Sequence, residues 1–489
     1  MVIMLLRNLN FRFIFQILGL VALYESAFML LDVIVACCYQ EWDIIPLLKA
    51  TMITAALGVT LYLAPGRRLS KNIGLRESFL LVTLSWILMP LLGALPYILT
   101  GTTNIIDGLF ESISGFTTTG SSIFTDIEAL PKGILFWRSE THWIGGMGII
   151  MLVVALLPIL KSGGMHLFST ESSASIFEKI RPKIVHNAQH LWMIYMGLTL
   201  AETIILMFGG MDLFDATCHS FGTIATGGFS TRNISVAAYS PFIQYVITVF
   251  MFLSGVNFLV HARLIKGDYK SFFKNQELKL YTGIVLVVSS IIAISLIVKQ
   301  NEAIEQAFRD SLFQVVSVIT ATGFATADYL IWPTNCWLLI FFLMFIGACA
   351  GSTGGGIKVI RHLIAFKYLA NRFRIHVNKD RFIPVRYNGK RIEDKVILNT
   401  FNFIFVYFLV YGIGVLIMLI EGNDVMTSAG SIITAMGGIG PGLGLTGPAS
   451  NFSMLSDATK LTIPIFMILG RLEILPVLVI FQSRFWKRW

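Results

Sequence analysis

The chain has 489 residues, of which 55% are hydrophobic and only 13% are charged, and its mean hydropathy is +0.75. Because a soluble protein carries about a quarter charged residues, this composition excludes an ordinary soluble domain and indicates a chain that lies mostly in lipid. The net charge of +9 could suggest a nucleic-acid partner. Its distribution along the chain indicates membrane topology instead.

Apolar runs of about 20 residues, long enough to cross a bilayer, recur along the chain. In chain order, the clearest predicted spans are residues 13–36, 79–99, 144–160, 280–298, 337–350 and 403–420. The first run continues to about residue 39 and is not followed by a small-residue cleavage site. We therefore expect a retained span there and not a signal peptide.

The basic residues are distributed unequally between the two sides of the predicted membrane. Alternating the spans places 29 of the 37 Lys and Arg residues on one side, in residues 7–12, 67–76, 161–183, 263–279, 358–395 and 484–488. Five lie on the opposite side, and three lie in or at the ends of spans. This asymmetry follows the positive-inside rule. It predicts two cytoplasmic termini and an even number of spans.

Four short segments align around one glycine each, and each lies between two apolar spans on the predicted outer side. They read SGFTTTGSS (114–122), GTIATGGF (222–229), SVITATGFA (317–325) and SIITAMGGI (431–439). The aligned glycines are Gly120, Gly227, Gly323 and Gly437. One such segment would be a weak signal, because Gly and Thr are frequent in membrane helices. Four of them predict a repeated structural unit.

An aspartate precedes each aligned glycine by 12 or 13 residues, with an apolar or small-residue stretch between them. The four are Asp107, Asp215, Asp310 and Asp424. We interpret each stretch as a short re-entrant helix with the aspartate at or near its N-cap, where a carboxylate accepts free N–H groups. The negative end of each helix dipole would then face the glycine segment and favour a cation. The alternative is that four acidic residues lie there by chance or at the interface.

Such segments suit an ion pore. A dehydrated cation needs oxygen ligands, and backbone carbonyls from four loops can supply them. Glycine permits the backbone conformation that turns carbonyls inward, and irregular backbone at membrane depth is tolerated where it lines a cavity. The predicted selectivity filter comprises Thr118, Thr119, Gly120, Ala225, Thr226, Gly227, Ala321, Thr322, Gly323, Ala435, Met436 and Gly437.

Further motifs extend over most of the chain. They are WRSxxxWIGGMGII (137–150), GGFSTRN (227–233), AGSTGGGIK (350–358), GPGLG (440–444) and GRLE (470–473). With the four segments, they make the chain resemble the membrane subunit of the Trk/Ktr/HKT superfamily of K⁺ transporters, and the Trk type most closely. The resemblance implies an all-α integral membrane fold of ten spans, with two leading transmembrane helices and four helix–pore-loop–helix repeats around a central pore.

The predicted boundaries are residues 1–66 for the leading helices and 67–162, 163–268, 269–375 and 376–489 for the four pore repeats. The fourth segment departs from the family pattern, because many Trk-type proteins resemble TxNNxGPG where this chain has AMGGIGPG. In plant relatives, a serine in place of the first glycine accompanies Na⁺ preference. Gly120 therefore favours K⁺ by analogy, although physical reasoning alone does not separate K⁺ from Na⁺.

The sequence GSTGGG, residues 351–356, interrupts what would otherwise be one long span. Glycine costs about 1 kcal/mol per residue in a helix relative to alanine, so we expect a break there. A phosphate-binding loop is excluded, because Ile357 and not Lys follows the glycines. The alternatives are a simple kink or a moving gate. The resemblance implies an intramembrane gate made of Gly351, Ser352, Thr353, Gly354, Gly355 and Gly356.

Arg471 lies within the last predicted span, where a charge costs about 2.5–3.5 kcal/mol and should face the interior or a partner. Glu473, two residues later, points to a different helix face and is not its natural partner. A structural ion pair and a gating role both remain open from the residues, and the resemblance favours the gate. Glu25 and Asp32 share one face of the first span, where we favour hydrogen bonding between helices over a transport role.

The resemblance also implies partners: K⁺ as the transported ion, membrane lipid, a second copy of the chain in a homodimer, and a cytosolic nucleotide-binding subunit with RCK domains. We expect no organic cofactor and no enzymatic activity. The predicted function is K⁺ uptake across a bacterial cytoplasmic membrane. A Na⁺-selective or Na⁺-coupled transporter of the same architecture is the alternative. A membrane-embedded transferase is a remote one, because the acidic and histidine residues share no motif.

Overall fold

The computed structural model describes residues 9–66, 75–148, 184–377 and 383–486. These residues form helices with two small two-stranded sheets. Most of the predicted span 144–160, and the basic residues 161–183, lie outside the described residues.

Two helices lead the chain, α1 (Phe11–Tyr39) and α2 (Ile44–Leu63). They pack against each other along their length. Gly19 and Gly58 face each other at this contact, since a Cβ on Gly19 would lie 2.7 Å from the carbonyl oxygen of Gly58. Small residues let two membrane helices approach closely in this way. α1 ends where Gln40 adopts the left-handed conformation, with φ of 56°.

The first two repeats follow the leading helices. The helices of the first repeat are α3 (Leu75–Gly93), α4 (Leu95–Leu99), α5 (Ile105–Phe116) and α6 (Lys132–Met147). Those of the second are α7 (Ile184–Phe208), α8 (Leu213–Ile224), α9 (Pro241–Ser254), α10 (Phe258–Ile265) and α11 (Tyr269–Lys274).

The third and fourth repeats include the short strands. The third comprises α12 (Gln276–Gln300), α13 (Ile304–Thr320), α14 (Thr334–Leu343), β1 (Ile346–Gly347), β2 (Ile357–Lys358) and α15 (Val359–Val377). The fourth comprises β3 (Arg386–Tyr387), β4 (Lys390–Arg391), α16 (Asp394–Ile420), α17 (Val425–Gly437), α18 (Asp457–Arg471), α19 (Leu475–Ile480) and α20 (Ser483–Trp486). β1 pairs in parallel with β2, and β3 pairs antiparallel with β4.

Six helical segments among the described residues are long and apolar enough to cross a membrane. The number is seven if α9 and α10, which are bent by 99°, form one broken span. The pairs α14–α15 and α18–α19 are interrupted, and α6 reaches the end of a described range. The expected count of ten spans therefore remains a prediction.

Burial in this structure differs from that of a soluble protein, because the outer faces of the helices are apolar as well as the interior. Large apolar side chains face outward on many helices, including Phe208 and Ile420, each 85% exposed. Carboxyl and hydroxyl groups lie between the helices, as at Asp32, Glu111 and Glu202. A chain surrounded by hydrocarbon is expected to distribute its residues in this way, because lipid is itself apolar and polar groups must find partners inside.

Candidate cation-conduction site

Four short helices, α5, α8, α13 and α17, each lead into one of the glycine segments. The predicted aspartates do not have one common role at their starts. Asp424 is the N-cap of α17, and its carboxylate accepts hydrogen bonds from the N–H groups of Met426 and Thr427, both at 3.0 Å. A side-chain cap of this kind satisfies N–H groups that have no partner within the helix.

None of the other three aspartates is the N-cap itself, which corrects that assignment, although Asp107 and Asp215 lie in the first turn of their helices, near the N-cap as expected. The caps of α5 and α8 are Asn104 and Asp212, whose side chains accept from the N–H groups of Asp107 and Asp215. Asp310 lies well beyond the first turn, because α13 already begins at Ile304.

Two of these internal aspartates hold neighbouring chain segments. Asp107 forms an ion pair with Lys460 at 2.8 Å. Asp215 accepts hydrogen bonds from Thr231 at 2.8 Å, Arg232 at 3.0 Å and Tyr239 at 2.8 Å. The contacts of Asp215 fix the chain that leaves the second glycine segment.

The backbone hydrogen bonds define how the four segments align in space. In each segment, one N–H group reaches back five residues to a carbonyl in the last turn of its helix. The bonds are Thr119 to Ser114, Gly227 to Gly222, Thr322 to Ser317 and Ile439 to Thr434, at 2.8 to 3.0 Å. Thr119, Gly227, Thr322 and Ile439 therefore occupy equivalent positions.

The backbone dihedral angles give the same alignment. The residue before each equivalent position has positive φ: Thr118 (55°), Thr226 (55°), Ala321 (60°) and Gly438 (67°). The residue after it has positive φ as well: Gly120 (79°), Gly228 (84°), Gly323 (85°) and Gly440 (94°). Three non-glycine residues in the left-handed region represent strain that is typical of functional sites.

This alignment corrects two of the predicted filter glycines. Gly228 and not Gly227 is equivalent to Gly120 and Gly323, a shift of one residue. In the fourth segment the equivalent glycine is Gly440. Ala435, Met436 and Gly437 belong to α17, which continues through Gly437. The signal for the fourth segment was the GPG sequence at 440–442, which the gap-free alignment passed over.

The four segments close into a ring. A Cβ on Gly120 would collide with the carbonyl oxygen of Gly227, one on Gly228 with that of Thr322, and one on Gly323 with that of Ile439. A Cβ on Gly440 would lie 3.0 Å from the carbonyl oxygen of Thr119, which completes the circle. Each glycine thus lies against a carbonyl of the next segment. The four carbonyls come from the equivalent positions, so the arrangement can present a ring of oxygens to a cation.

Hydroxyl groups distinguish the first and third segments, which are opposite each other in the ring, from the second and fourth. The side chains of Thr117 and Thr119 bond to each other at 2.8 Å, and those of Thr320 and Thr322 at 2.7 Å. The second and fourth segments have no hydroxyl at these positions. The ring therefore has approximate two-fold character in its side chains, although its backbone repeats four times.

A buried ion pair that sequence reasoning did not single out fastens the first segment to the second. Arg138 on α6 bonds Glu111 on α5 at 2.8 Å, and both side chains are almost completely buried. Glu111 also accepts from Ser122 and from the N–H of Ile123, both at 3.0 Å. Arg138 donates to the carbonyl of Ser230 at 3.1 Å. The only sequence signal was a charged residue on each of two apolar stretches.

The 351–356 segment, called the glycine loop here, breaks the helical path as expected. α14 ends at Leu343, earlier than the predicted span, and α15 begins at Val359. Between them, Ile346 pairs with Ile357 and Gly347 with Lys358. The glycine loop is thus an irregular loop between two half-helices, and the parallel pair of β1 and β2 brings its two ends together.

The glycine loop lies directly beneath the ends of the short helices. Thr353 donates to the carbonyl of Ile224, the last residue of α8, at 3.1 Å. A Cβ on Gly354 would collide with the carbonyl oxygen of Thr320, which ends α13. A Cβ on Gly355 would collide with that of Gly437, which ends α17. The loop therefore contacts three repeats at the base of the ring.

Arg471 connects the glycine loop to the remaining repeat. Its guanidinium donates to the carbonyl of Thr353 at 3.0 Å and to the hydroxyl of Thr118 at 3.1 Å. It also donates to the carbonyls of Gly145 and Gly146 at the end of α6. α18 ends at Arg471, so the charge lies at a break between α18 and α19 and not inside a continuous helix.

Charged residues missed by sequence reasoning hold the two ends of the glycine loop. Lys358, which is buried, donates to the carbonyl of Gly354. Glu277 at the start of α12 accepts from the N–H of Ala350 at 2.6 Å. Glu473 pairs with Arg361 at 2.5 Å. This agrees with the expectation that Glu473 is not the partner of Arg471. Among the described residues, no group of three or more His, Cys, Asp or Glu side chains could hold a metal ion.

Comparison with known proteins agrees with this geometry. Residues 47–488 match the model of the TrkH family, described as cation transport protein. The Trk system potassium uptake protein TrkH of Salmonella typhimurium is 36% identical over 98% of this chain and its own full length. TrkG of Escherichia coli K12 is 32% identical over 97% of this chain and 99% of its own.

A solved structure shares the fold. The crystal structure of the potassium transporter TrkH from Vibrio parahaemolyticus has a TM-score of 0.88 and 32% identity, and the alignment covers 98% of this chain and all of that one. The relatives are named as transport proteins and not as enzymes. The chain belongs to the TrkH family of cation transport proteins.

Proposed function

We propose that this protein takes up K⁺ through the ring formed by its four glycine segments. The observation that carries the proposal is the closed circle of contacts in which each of Gly120, Gly228, Gly323 and Gly440 lies against a carbonyl of the next segment. Four carbonyls at one level can replace part of the water shell of a monovalent cation. The short helices end at this level, so the negative ends of their dipoles add to the attraction.

The choice of K⁺ over Na⁺ is supported by the names of the relatives, which are potassium uptake proteins. Gly120 supports K⁺ too, because a serine at the equivalent position accompanies Na⁺ preference in plant members of the superfamily that this chain resembles. A Na⁺-selective transporter remains the alternative function.

The glycine loop is the proposed gate. It lies across the base of the ring, and Arg471 places a positive charge between it and Thr118. A cation leaving the ring would meet both a backbone obstruction and an unfavourable charge. Because the loop consists mainly of glycine, it can adopt other conformations without side-chain clashes. Displacement of the loop together with Arg471 would open the path to the cytoplasm.

The remaining features of the proposal come from the charge pattern and the resemblance. They are ten spans with cytoplasmic termini, a homodimer with one pore per chain, and a cytosolic RCK-domain subunit that docks on the basic 358–395 region. A membrane potential that is negative inside would drive uptake by about 2.3 kcal/mol per charge for every 100 mV.

The test is ion flux into liposomes that contain the purified protein, with K⁺ and Na⁺ compared under the same gradient. We expect K⁺ flux well above Na⁺ flux, and a smaller ratio for Gly120→Ser. Equal fluxes of the two ions in the wild type would refute K⁺ selectivity. Absence of any flux, even with a regulatory subunit present, would refute the pore.

A further inference from the structure

Two buried carboxyl groups face each other between the leading helices and the first repeat, away from the ring. Asp32 on α1 and Glu140 on α6 are 0% and 1% exposed. Their side chains are within hydrogen-bonding reach of each other. Among the described residues, no hydrogen-bond donor reaches either carboxyl oxygen of Asp32 or Oε2 of Glu140. Hydrogen bonding between helices through ordinary donors, which the sequence favoured for Asp32, is therefore not what the structure shows.

Within the described ranges, no Lys, Arg or His side chain forms an ion pair with Asp32 or Glu140. The nearest basic residues along α6 are engaged elsewhere: Lys132 lies 4.3 Å from the ring of Phe214, and Arg138 bonds Glu111. The other titratable groups on α1, in the loop after it and on the elements packed against α1 and α6 are Arg12, Tyr24, Glu25, Cys37, Cys38, Tyr39, Glu41, Asp43, Lys49, Tyr62, Arg76, Glu77, Tyr97, Asp107, Glu111, His142, Asp215, Cys218 and His219.

Several of these groups lie near the pair or belong to other networks. Asp43 is buried and adds a further negative charge near Asp32. His142 bonds the carbonyl of Gly115, and His219 bonds Ser230. Lys49 is exposed on α2. Among the described residues, the charged groups on these elements are thus acidic, bonded to other residues or, like Arg12 and Lys49, exposed.

Two ionised carboxylates in contact would repel each other strongly in this apolar setting, because ionised carboxylates only accept hydrogen bonds. The repulsion disappears if one oxygen carries a proton and donates it to the other carboxylate. A metal ion would require additional oxygen ligands, and the described residues contain no group of three acidic, His or Cys side chains that could provide them. A proton needs only the two oxygens that are present.

We propose that Asp32 and Glu140 form a proton-binding site in which one proton is shared between the two carboxyl groups. The site is separate from the cation ring. It joins α1 to α6, so loss of the proton would push the leading helices away from the first repeat. Deprotonation therefore weakens the folded state.

Infrared spectroscopy of the protein in lipid tests the shared proton, because a protonated carboxyl has a carbonyl stretching band that an ionised carboxylate lacks. At neutral pH, Asp32→Asn and Glu140→Gln should each remove the same band, since the new amide donates in place of the proton. Asp126→Asn, at an exposed carboxylate that bonds Asn233, should leave the band unchanged. Persistence of the band in both variants, or loss of a different band in each, would overturn the single shared proton.

Thermal stability against pH gives a second measurement. The folded wild type should lose melting temperature as pH rises above about 4, the pKa of a carboxyl group in an unfolded chain, because the folded state still binds the proton that the unfolded chain has released. Asp32→Asn and Glu140→Gln should lose less, since they have one carboxylate and no charge repulsion. A parallel decline in the wild type and in both variants would contradict the proposal. Elution as a single species in size-exclusion chromatography establishes that both near-isosteric variants are folded.

Discussion

The structural alignment places the fourth filter glycine at Gly440, whereas the sequence alignment places it at Gly437. Two alanine substitutions distinguish these alignments. Gly440 has φ of 94°, and a Cβ there would lie 3.0 Å from the carbonyl oxygen of Thr119 in the ring. Left-handed backbone costs a non-glycine residue about 1–3 kcal/mol. If this strain acts on the conducting conformation, Gly440→Ala should lower K⁺ flux by about 5- to 150-fold.

Gly437→Ala is the matched control. Gly437 is the last residue of α17, and the nearest obstacle to a Cβ is the terminal Cδ1 atom of Ile439 at 2.8 Å, which can rotate away. Alanine is favoured over glycine in a helix by about 1 kcal/mol. The K⁺ flux of Gly437→Ala into liposomes should therefore stay within about two-fold of the wild type. This change is much smaller than the one that backbone strain should cause in Gly440→Ala. Equal losses in both variants, or a loss at Gly437 alone, would refute the structural alignment.

Three further substitutions test the proposed gate and the buried ion pair between Arg138 and Glu111. Arg471→Ala removes the charge-assisted bond to the carbonyl of Thr353 in the glycine loop, worth about 1.5–3 kcal/mol, so K⁺ flux in liposomes should rise by roughly ten-fold or more. Lys358→Met removes the bond to the carbonyl of Gly354, and it should raise the same flux, though less. Glu111→Gln leaves Arg138 buried beside a neutral side chain, and breaking such a pair should cost about 3–5 kcal/mol, measured as a lower melting temperature.

Each of these predictions has a distinct contrary result. Unchanged or reduced flux in well-folded Arg471→Ala and Lys358→Met would show that neither residue holds the loop closed. The control for Glu111→Gln is Glu305→Gln, which breaks the pair between the exposed carboxylate of Glu305 and Arg309 and should change stability by about 0.5 kcal/mol or less. Equal effects of the two glutamine variants would show that the buried pair does not stabilise the ring.

The repeated segments and the break at the glycine loop could be predicted from sequence, because both depend on local composition. Four glycine–threonine segments between apolar runs required irregular backbone at membrane depth. A run of four glycines within six residues could not continue a helix. The presence of Arg471 in an apolar span likewise predicted an interior contact, and its partners are backbone carbonyls and a filter hydroxyl.

The alignment of the second and fourth segments could not be predicted, because it depends on where each helix ends. Both Gly227 and Gly228 suit the filter as residues, and the hydrogen bond from Gly227 to Gly222 together with the positive φ of Gly228 decides between them. α17 continues through Gly437 despite the glycine. Likewise, the start of α13 at Ile304 places Asp310 in its interior, although the spacing matched the other aspartates.

The most direct test of the central claim is to locate a heavy K⁺ substitute, Tl⁺ or Rb⁺, in crystals of the protein by anomalous scattering. The account predicts a peak on the axis of the ring, level with the carbonyl oxygens of Thr119, Gly227, Thr322 and Ile439. It also predicts that Gly440→Ala weakens the peak and Gly437→Ala does not. A peak level with Gly437, or none within the ring in a protein that conducts K⁺, would contradict it.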